Sequence, residues 1–305
     1  MRTLIAYGDY EPWNKLSLAF CDTGTAIWGK LPPFYQEKSQ VSSDTAPKQI
    51  YLQGKTLEDS IKEGFAGWTI EQPELDAGHF YPRIWRRASE IERHGEPLPR
   101  VEDTQDLGSF VNSLEQIECL FDDLSSIFRV VHPAKDNLDS YGGAIRDIII
   151  LACTEVEAQW KGVLEAHNVK ASGKHYNTTD YVKLLPVMKL DRYKVALVRY
   201  PRIAPTAPFE GWNVSAPTTS LLWYDAYNNV KHDREAKFSE ASLRHAIEAV
   251  AACLVLLAAQ FGVEALNRHR LKNLFEFKDR PRWEPKEWYY QPVPGQRWAR
   301  MQFPF

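Results

Sequence analysis

Trp223-Tyr224-Asp225-Ala226-Tyr227-Asn228-Asn229-Val230-Lys231-His232-Asp233-Arg234 is the stretch on which the reading of this chain turns, and the most hydrophobic segment of the sequence follows it almost at once. At about 100° per residue, a helix over 220–232 puts Trp223, Ala226, Tyr227 and Val230 on one face. Asp225, Asn228, Asn229 and His232 then gather on the other. Asn and Asp lower helix propensity, so a helix selected for stability alone would rarely set them beside Lys-His-Asp-Arg. The polar face is therefore a candidate functional surface. A plainer reading stands beside it, because Asp and Asn also cap helices and close turns, and a histidine at a helix end often serves only the backbone.

Downstream, Leu243, Ala246, Ile247, Val250, Leu254, Leu257, Ala258 and Phe261 recur at helical spacing, and Gly262 closes the run as a C-cap. The second half of this helix, expected over 239–261, is apolar on every side, which places it at the centre of a bundle. Its unbroken apolar run, Ala249 to Ala259, is about half of what a membrane span requires. The tail beyond it sets Trp283, Trp288, Tyr289, Tyr290 and Trp298 among Arg280, Arg282, Lys286, Arg297 and Arg300. Such rings either stack on single-stranded nucleic acid or fold back onto the protein; the expectation here is docking on the bundle.

Upstream, the Pro-rich segment 200–220 carries Phe209-Glu210-Gly211-Trp212 and reads as a lid or brace for the polar face. Two long helices precede it. One spans 107–131, with Leu107, Phe110, Val111, Leu114, Ile117, Phe121, Leu124, Phe128 and Val131 on its stripe. The other spans 143–167, with Ile145, Ile148, Ile149, Ala152, Val156, Trp160, Val163 and Leu164 facing inward and Glu155 on the border of that face. A shorter helix opens at Asn177-Thr178-Thr179-Asp180. Residues 1–100 lack a long helical period. They offer short β-compatible runs at 3–7, 15–20, 25–28 and 49–52, a capping box at Thr56-Leu57-Glu58-Asp59, a basic helix over 83–93 and a break at Gly95–Pro99. The expected architecture is mainly α: a small mixed α/β or irregular region over 1–100, an up-and-down helical bundle over 106–262, and a tail over 263–305.

The 37 Lys and Arg against 40 Asp and Glu leave a net charge of −3, so any nucleic-acid binding must use a local patch. The four cysteines, at 21, 119, 153 and 253, have no zinc-site spacing, and the last three sit in apolar helical patterns as small core residues. The N-terminus turns polar too soon for a signal peptide, which points to a reduced, cytoplasmic protein that is not membrane-bound. No Walker loop, GxGxxG, GxSxG, HExxH or EF-hand occurs, and no metal or other cofactor is expected.

A long helix, a second helix with Thr154-Glu155-Val156-Glu157, a shorter helix, and Tyr-Asn-x-Val-Lys-His-Asp-Arg leading into an Ala/Leu-rich helix together resemble a HEPN-type domain over about 106–262. The resemblance implies an all-α up-and-down fold, often dimeric. Many members of that superfamily are metal-independent ribonucleases of toxin–antitoxin and phage-defence systems, and others are non-catalytic RNA-binding or assembly modules. Their catalytic motif is an Arg, four to six residues, and a His. His232 matches the histidine, but Asn228, Tyr227 and Ala226 stand where the arginine belongs. A formal Arg87/His94 match falls outside the resembling region.

Metal-free RNA cleavage needs a base for the 2′-hydroxyl proton and a cation for the charged phosphorane. His232 supplies the first, with Lys231 or Arg234 as the second and Asn228 beside them. Asp225, Asn229, Tyr224 and Glu155 are the expected substrate contacts. The implied partners are RNA, a second copy through the bundle, and an antitoxin or other partner protein. The alternative is a non-catalytic helical interaction module that kept the fold and lost the chemistry.

Overall fold

The structure, a computed structural model, describes residues 2–10, 13–22, 26–30, 33–37, 55–86, 101, 104–266, 270–290, 292 and 295–305; the side chains of 9–19, 21–37 and Arg234 lie outside the described set. The chain forms two compact units, and the larger comprises Tyr81–Trp85, Thr104–Pro281 and Gln302–Phe305. The fold is mainly α.

In the larger unit the long helices are α2 (Leu107–Phe128), α3 (Gly143–Ala166) and α8 (Leu243–Phe261), numbered after the N-terminal α1 (Leu57–Gly64). Between them come α4 (Thr178–Tyr181), α5 (Leu184–Met188), α6 (Leu222–His232) and α7 (Arg234–Lys237), with the short α9 (Val263–Leu266) after them. α3 and α8 pack along each other, α2 lies against both, and α6 lies against α3 and α8. Every residue of α8 from Ala249 to Phe261 is buried, so its all-round apolar sequence is matched by partners on all sides. The helix starts at Leu243 rather than at 239, because Ser239 lies in a 3-10 turn and Ser242 is the residue whose hydroxyl caps the helix, accepting from the His245 amide at 3.4 Å. It ends at Gly262, whose φ of +91° is accessible to glycine without strain.

The shorter helix expected after Asn177 is two pieces, α4 and α5. Asn177 and Asp180 form a capping box at the first. A two-stranded ribbon, here called β7 (Lys194–Leu197) and β8 (Phe275–Asp279) after the strands of the smaller unit, pairs antiparallel.

The smaller unit comprises Met1–Phe80, Arg86–Asp103 and Arg282–Met301. Its sheet has the order β4-β3-β2-β1-β5, with β1 (Arg2–Tyr10), β2 (Trp13–Asp22), β3 (Ala26–Lys30), β4 (Pro33–Glu37) and β5 (Thr69–Glu71), all pairs antiparallel. Leu4, Ala6 and Phe20 from the sheet meet Leu57 and Ile61 of α1, the amphipathic helix that Thr56 caps. A short parallel pair joins β6 (His79–Phe80) to β9 (Ala299–Arg300).

Several expectations change here. The tail does not dock whole on the bundle: Arg282–Met301 groups with the N-terminal strands, where Trp283, Trp288, Tyr289 and Tyr290 are buried. Phe80 receives Tyr289 and Trp298 edge-on at 6.5 and 6.0 Å, so these rings pack on protein instead of facing solvent for bases. Conversely, Tyr81–Trp85 leaves the N-terminal region and joins the bundle, held by the Trp85 amide on the Ala259 carbonyl at 2.9 Å and by His167 Nε2 on the Pro82 carbonyl at 2.9 Å. Residues 83–86 are not helical, and 87–100, with the Arg87/His94 match and the Gly95–Pro99 break, lie outside the described residues, as does the run 49–52. Cys153 and Cys253 are core residues, but Cys119 is exposed, since it sits one position off the buried stripe of α2.

Candidate functional site

The aromatic face of α6 anchors it. Trp223, Ala226, Tyr227 and Val230 are buried, and Trp223 Nε1 donates to the Pro208 carbonyl at 2.7 Å. Trp160 of α3 lies between Tyr181 and Trp212, stacked at 5.1 and 5.0 Å, and Phe209 packs on both Trp212 and Trp223. The Pro-rich segment 200–220 is thus a brace: its Phe209 and Trp212 are core residues, and Trp212 Nε1 is satisfied by the Pro217 carbonyl at 2.8 Å. Recurring prolines keep this segment out of helix, while its aromatic residues supply the burial that orders it.

The polar face divides into groups with different roles. Asn229 Nδ2 donates to Glu240 Oε2 at 2.8 Å and to Asp225 Oδ2 at 3.4 Å, and Lys237 Nζ donates to Glu240 Oε1 at 2.7 Å. The Lys237 ammonium, helped by the Asn229 amide, holds the Glu240 carboxyl below its ordinary range despite partial burial. Asn228 Nδ2 bonds back to the Tyr224 carbonyl at 2.9 Å, one turn earlier on its own helix.

At the end of α6, Lys231 Nζ donates to the Tyr227 hydroxyl at 2.8 Å and lies 4.9 Å from the centre of that ring. That hydrogen bond, reinforced by the nearby Glu157, raises the Lys231 pKa, so the side chain stays cationic. An ammonium has three N–H donors, and Tyr227 takes one of them. His232 is exposed, is the last residue of the helix, and has no hydrogen-bond partner among the described residues. Asp233 leaves helical geometry with φ −134° and caps α7 by accepting from the Ala236 amide at 3.1 Å. The helix therefore breaks between His232 and Arg234, and the Arg234 side chain lies outside the described residues.

Two expected substrate contacts are elsewhere engaged. Tyr224 is buried and its hydroxyl donates to Glu157 Oε1 at 2.7 Å; burial first, then this carboxylate, pushes the phenol far above its ordinary value. Glu155 does not meet α6. Its Oε1 accepts from Gln159 Nε2 at 2.9 Å, in a chain that continues through Gln260 Nε2 on Gln159 Oε1 at 2.8 Å and Arg83 Nε on Gln260 Oε1 at 2.7 Å. Burial raises the Glu155 pKa against the pull of Ser113, Gln159 and Arg83. Positions two apart on a helix differ by about 200°, so of the pair Glu155 and Glu157 only one can face α6, and it is Glu157. The sequence offered both; which one meets the polar helix depends on how α3 is rotated.

His232, Lys231, Asn228, Asn229 and Asp225 thus share the outer side of one helix, while Tyr224 is buried and the half-buried Glu155 is bonded on another face of α3. Glu157, the Tyr227 hydroxyl, Glu240 and Lys237 join the site from positions that periodicity alone did not connect. Chemically, the arrangement provides an exposed imidazole beside a permanent cation, with amide donors one turn away. Among the described residues no group of three or more His, Cys, Asp or Glu is placed to hold a metal ion. No family model matches this chain, and neither a curated protein nor a solved structure shows significant similarity to it.

Proposed function

We propose that this chain is a HEPN-like cytoplasmic protein that binds RNA at the end of α6 and cleaves it without a metal, in a phage-defence, toxin–antitoxin or stress system. The observation that carries the reading is the exposed His232 beside the charged Lys231, at the end of a helix fixed by its own aromatic face. In this reading His232 accepts the 2′-hydroxyl proton, and the two Lys231 N–H groups not used by Tyr227 meet the phosphate. Lys231 is a point donor where an arginine would grip two phosphate oxygens, which favours modest rates.

The second reading, a non-catalytic RNA-binding or assembly module, is favoured by a specific observation: nothing among the described residues orients the His232 ring, and Tyr227 holds the neighbouring cation. Incubating labelled RNA with the chain in excess chelator separates the two. Cleavage that His232→Ala reduces by about 10²- to 10⁴-fold at an unchanged melting temperature supports the first. Retention of RNA without cleavage supports the second, and loss of neither binding nor cleavage in His232→Ala moves the site away from α6.

A further inference from the structure

We propose that the groove between the end of α2 and the start of α3 docks an amphipathic helix with basic flanks, contributed by a partner protein. The groove has a volume of about 550 Å³, with Ile127, Val130 and Val131 on one wall and Tyr141, Ile148 and Leu151 on the other. Val130 is 87% exposed, Tyr141 54% and Leu151 47%, so three large apolar side chains face solvent around one depression. Its floor contains Gly142 and Gly143, and a Cβ built on either meets nothing within 4 Å. Neither glycine relieves a clash inside the protein, and the φ of 176° at Gly142 is open to any residue. Their smallness instead leaves room for something approaching from outside. The wall runs from Asp123 to Ile127 on the last turns of α2 and continues through Val130 and Val131 in the turn beyond the helix, which suits a docked helix carrying anchors at i, i+3, i+4 and i+7.

Charge selects the occupant. Of the acids on α2, Glu118 and Asp122 line a different pocket, where Asp122 pairs with Arg270, so the helix contributes Asp123 to this groove. The ionisable side chains lining the groove, apart from Tyr141, are Asp123 and Asp147. Asp147 is held by Arg146, whose guanidinium lies over the Phe238 ring, whereas Asp123 has no ion-pair partner among the described residues. A second copy docked by two-fold symmetry would bring the same acidic rim against itself, and an anionic lipid surface would be repelled. An apolar helix edge flanked by Lys or Arg meets both the groove and its rim.

The test uses the full chain and fluorescein-labelled sixteen-residue peptides, roughly four helical turns. One has Leu at i, i+3, i+4 and i+7 flanked by Lys; a second scrambles the same composition around the helix; a third replaces Lys by Glu. Anisotropy titrations should give the first peptide at least about a tenfold advantage over both others. Gly143→Leu, which fills open space without an internal clash, should remove that advantage at an unchanged melting temperature, and Asp123→Lys should erase the preference for Lys over Glu. Equal binding of all three peptides, or full binding to Gly143→Leu, overturns the proposal. So does a wild-type dimer in sedimentation that Gly143→Leu converts to monomer, because the face would then be a self-interface.

Discussion

Replacing Gln260 by Leu should destabilise the bundle by far more than the loss of one amide suggests. Gln260 accepts from Arg83 Nε at 2.7 Å and donates to Gln159 Oε1 at 2.8 Å. Leucine can do neither, and Gln159 is only 1% exposed, so its oxygen has no water to turn to. An unsatisfied buried acceptor costs about 1–3 kcal/mol, and the half-buried Arg83 donor, which solvent can partly rescue, adds about 1 kcal/mol. Leucine recovers part of this through apolar burial, leaving a net loss of about 2–3 kcal/mol against a total stability of about 5–15 kcal/mol. Urea unfolding followed by helical circular dichroism measures it. The double variant Gln159→Leu/Gln260→Leu removes both partners of the central bond, so it should lose less than the two single losses added, with a coupling of about 0.5–3 kcal/mol. If Gln260→Leu falls within about 0.5 kcal/mol of the parent, or if the two losses simply add, the chain of bonds is not acting as a unit.

Two further outcomes test the same region. Burial raises the Glu155 pKa in the folded state, so the ionised form is the disfavoured one: stability from this group is complete below its unfolded value of about 4.3 and is lost as pH rises through the folded value. Glu155→Gln should therefore raise the unfolding midpoint at pH 7, with the gain vanishing near about pH 3; a gain that grows on acidification would reverse the assignment. At Gly262, φ is +91° and an added Cβ would lie 2.6 Å from Trp85 Nε1, so Gly262→Ala should cost about 1–3 kcal/mol in thermal unfolding and displace the indole, seen as a changed tryptophan emission. An unchanged midpoint and spectrum would mean that Trp85 is not held against this turn.

The helices that were legible in the sequence are those whose apolar period is long. The stripe from Phe110 to Phe128, with Leu107 and Val111 left exposed, and the all-round apolar run to Phe261 each admit one arrangement, a helix with a buried face and a helix with no exposed face. The crossing of segments between the two units was not legible. Nothing in Tyr81–Trp85 says that a buried histidine, His167, will take the Pro82 carbonyl, nor in Arg282–Met301 that its rings will find Phe80 instead of the bundle. Aromatic residues broken by prolines have burial to offer and no period to say against what. Cys119 misled for a related reason: the stripe of α2 is narrow enough that one position, about 100°, separates buried from exposed.

The polar face of α6 was legible as a face but not as a division of labour. Its four polar residues looked alike on a helical wheel, yet Asp225 and Asn229 fasten the turn that carries Lys237 and Glu240 before α8 begins, and Asn228 is spent on its own helix. The low helix propensity of that stretch thus has a structural cause in part, since Asn229 stabilises the sharp passage from α6 into α8, where the chain must turn within ten residues. What the passage leaves unspent is the imidazole of His232 and the outer donors of Lys231. They sit where the helix stops, and the break at Asp233 keeps the following turn from continuing the helix over them. A reading of function from this face therefore rests on two residues, of which Tyr227 fixes Lys231, while the amides serve the helix and the turn that follows it.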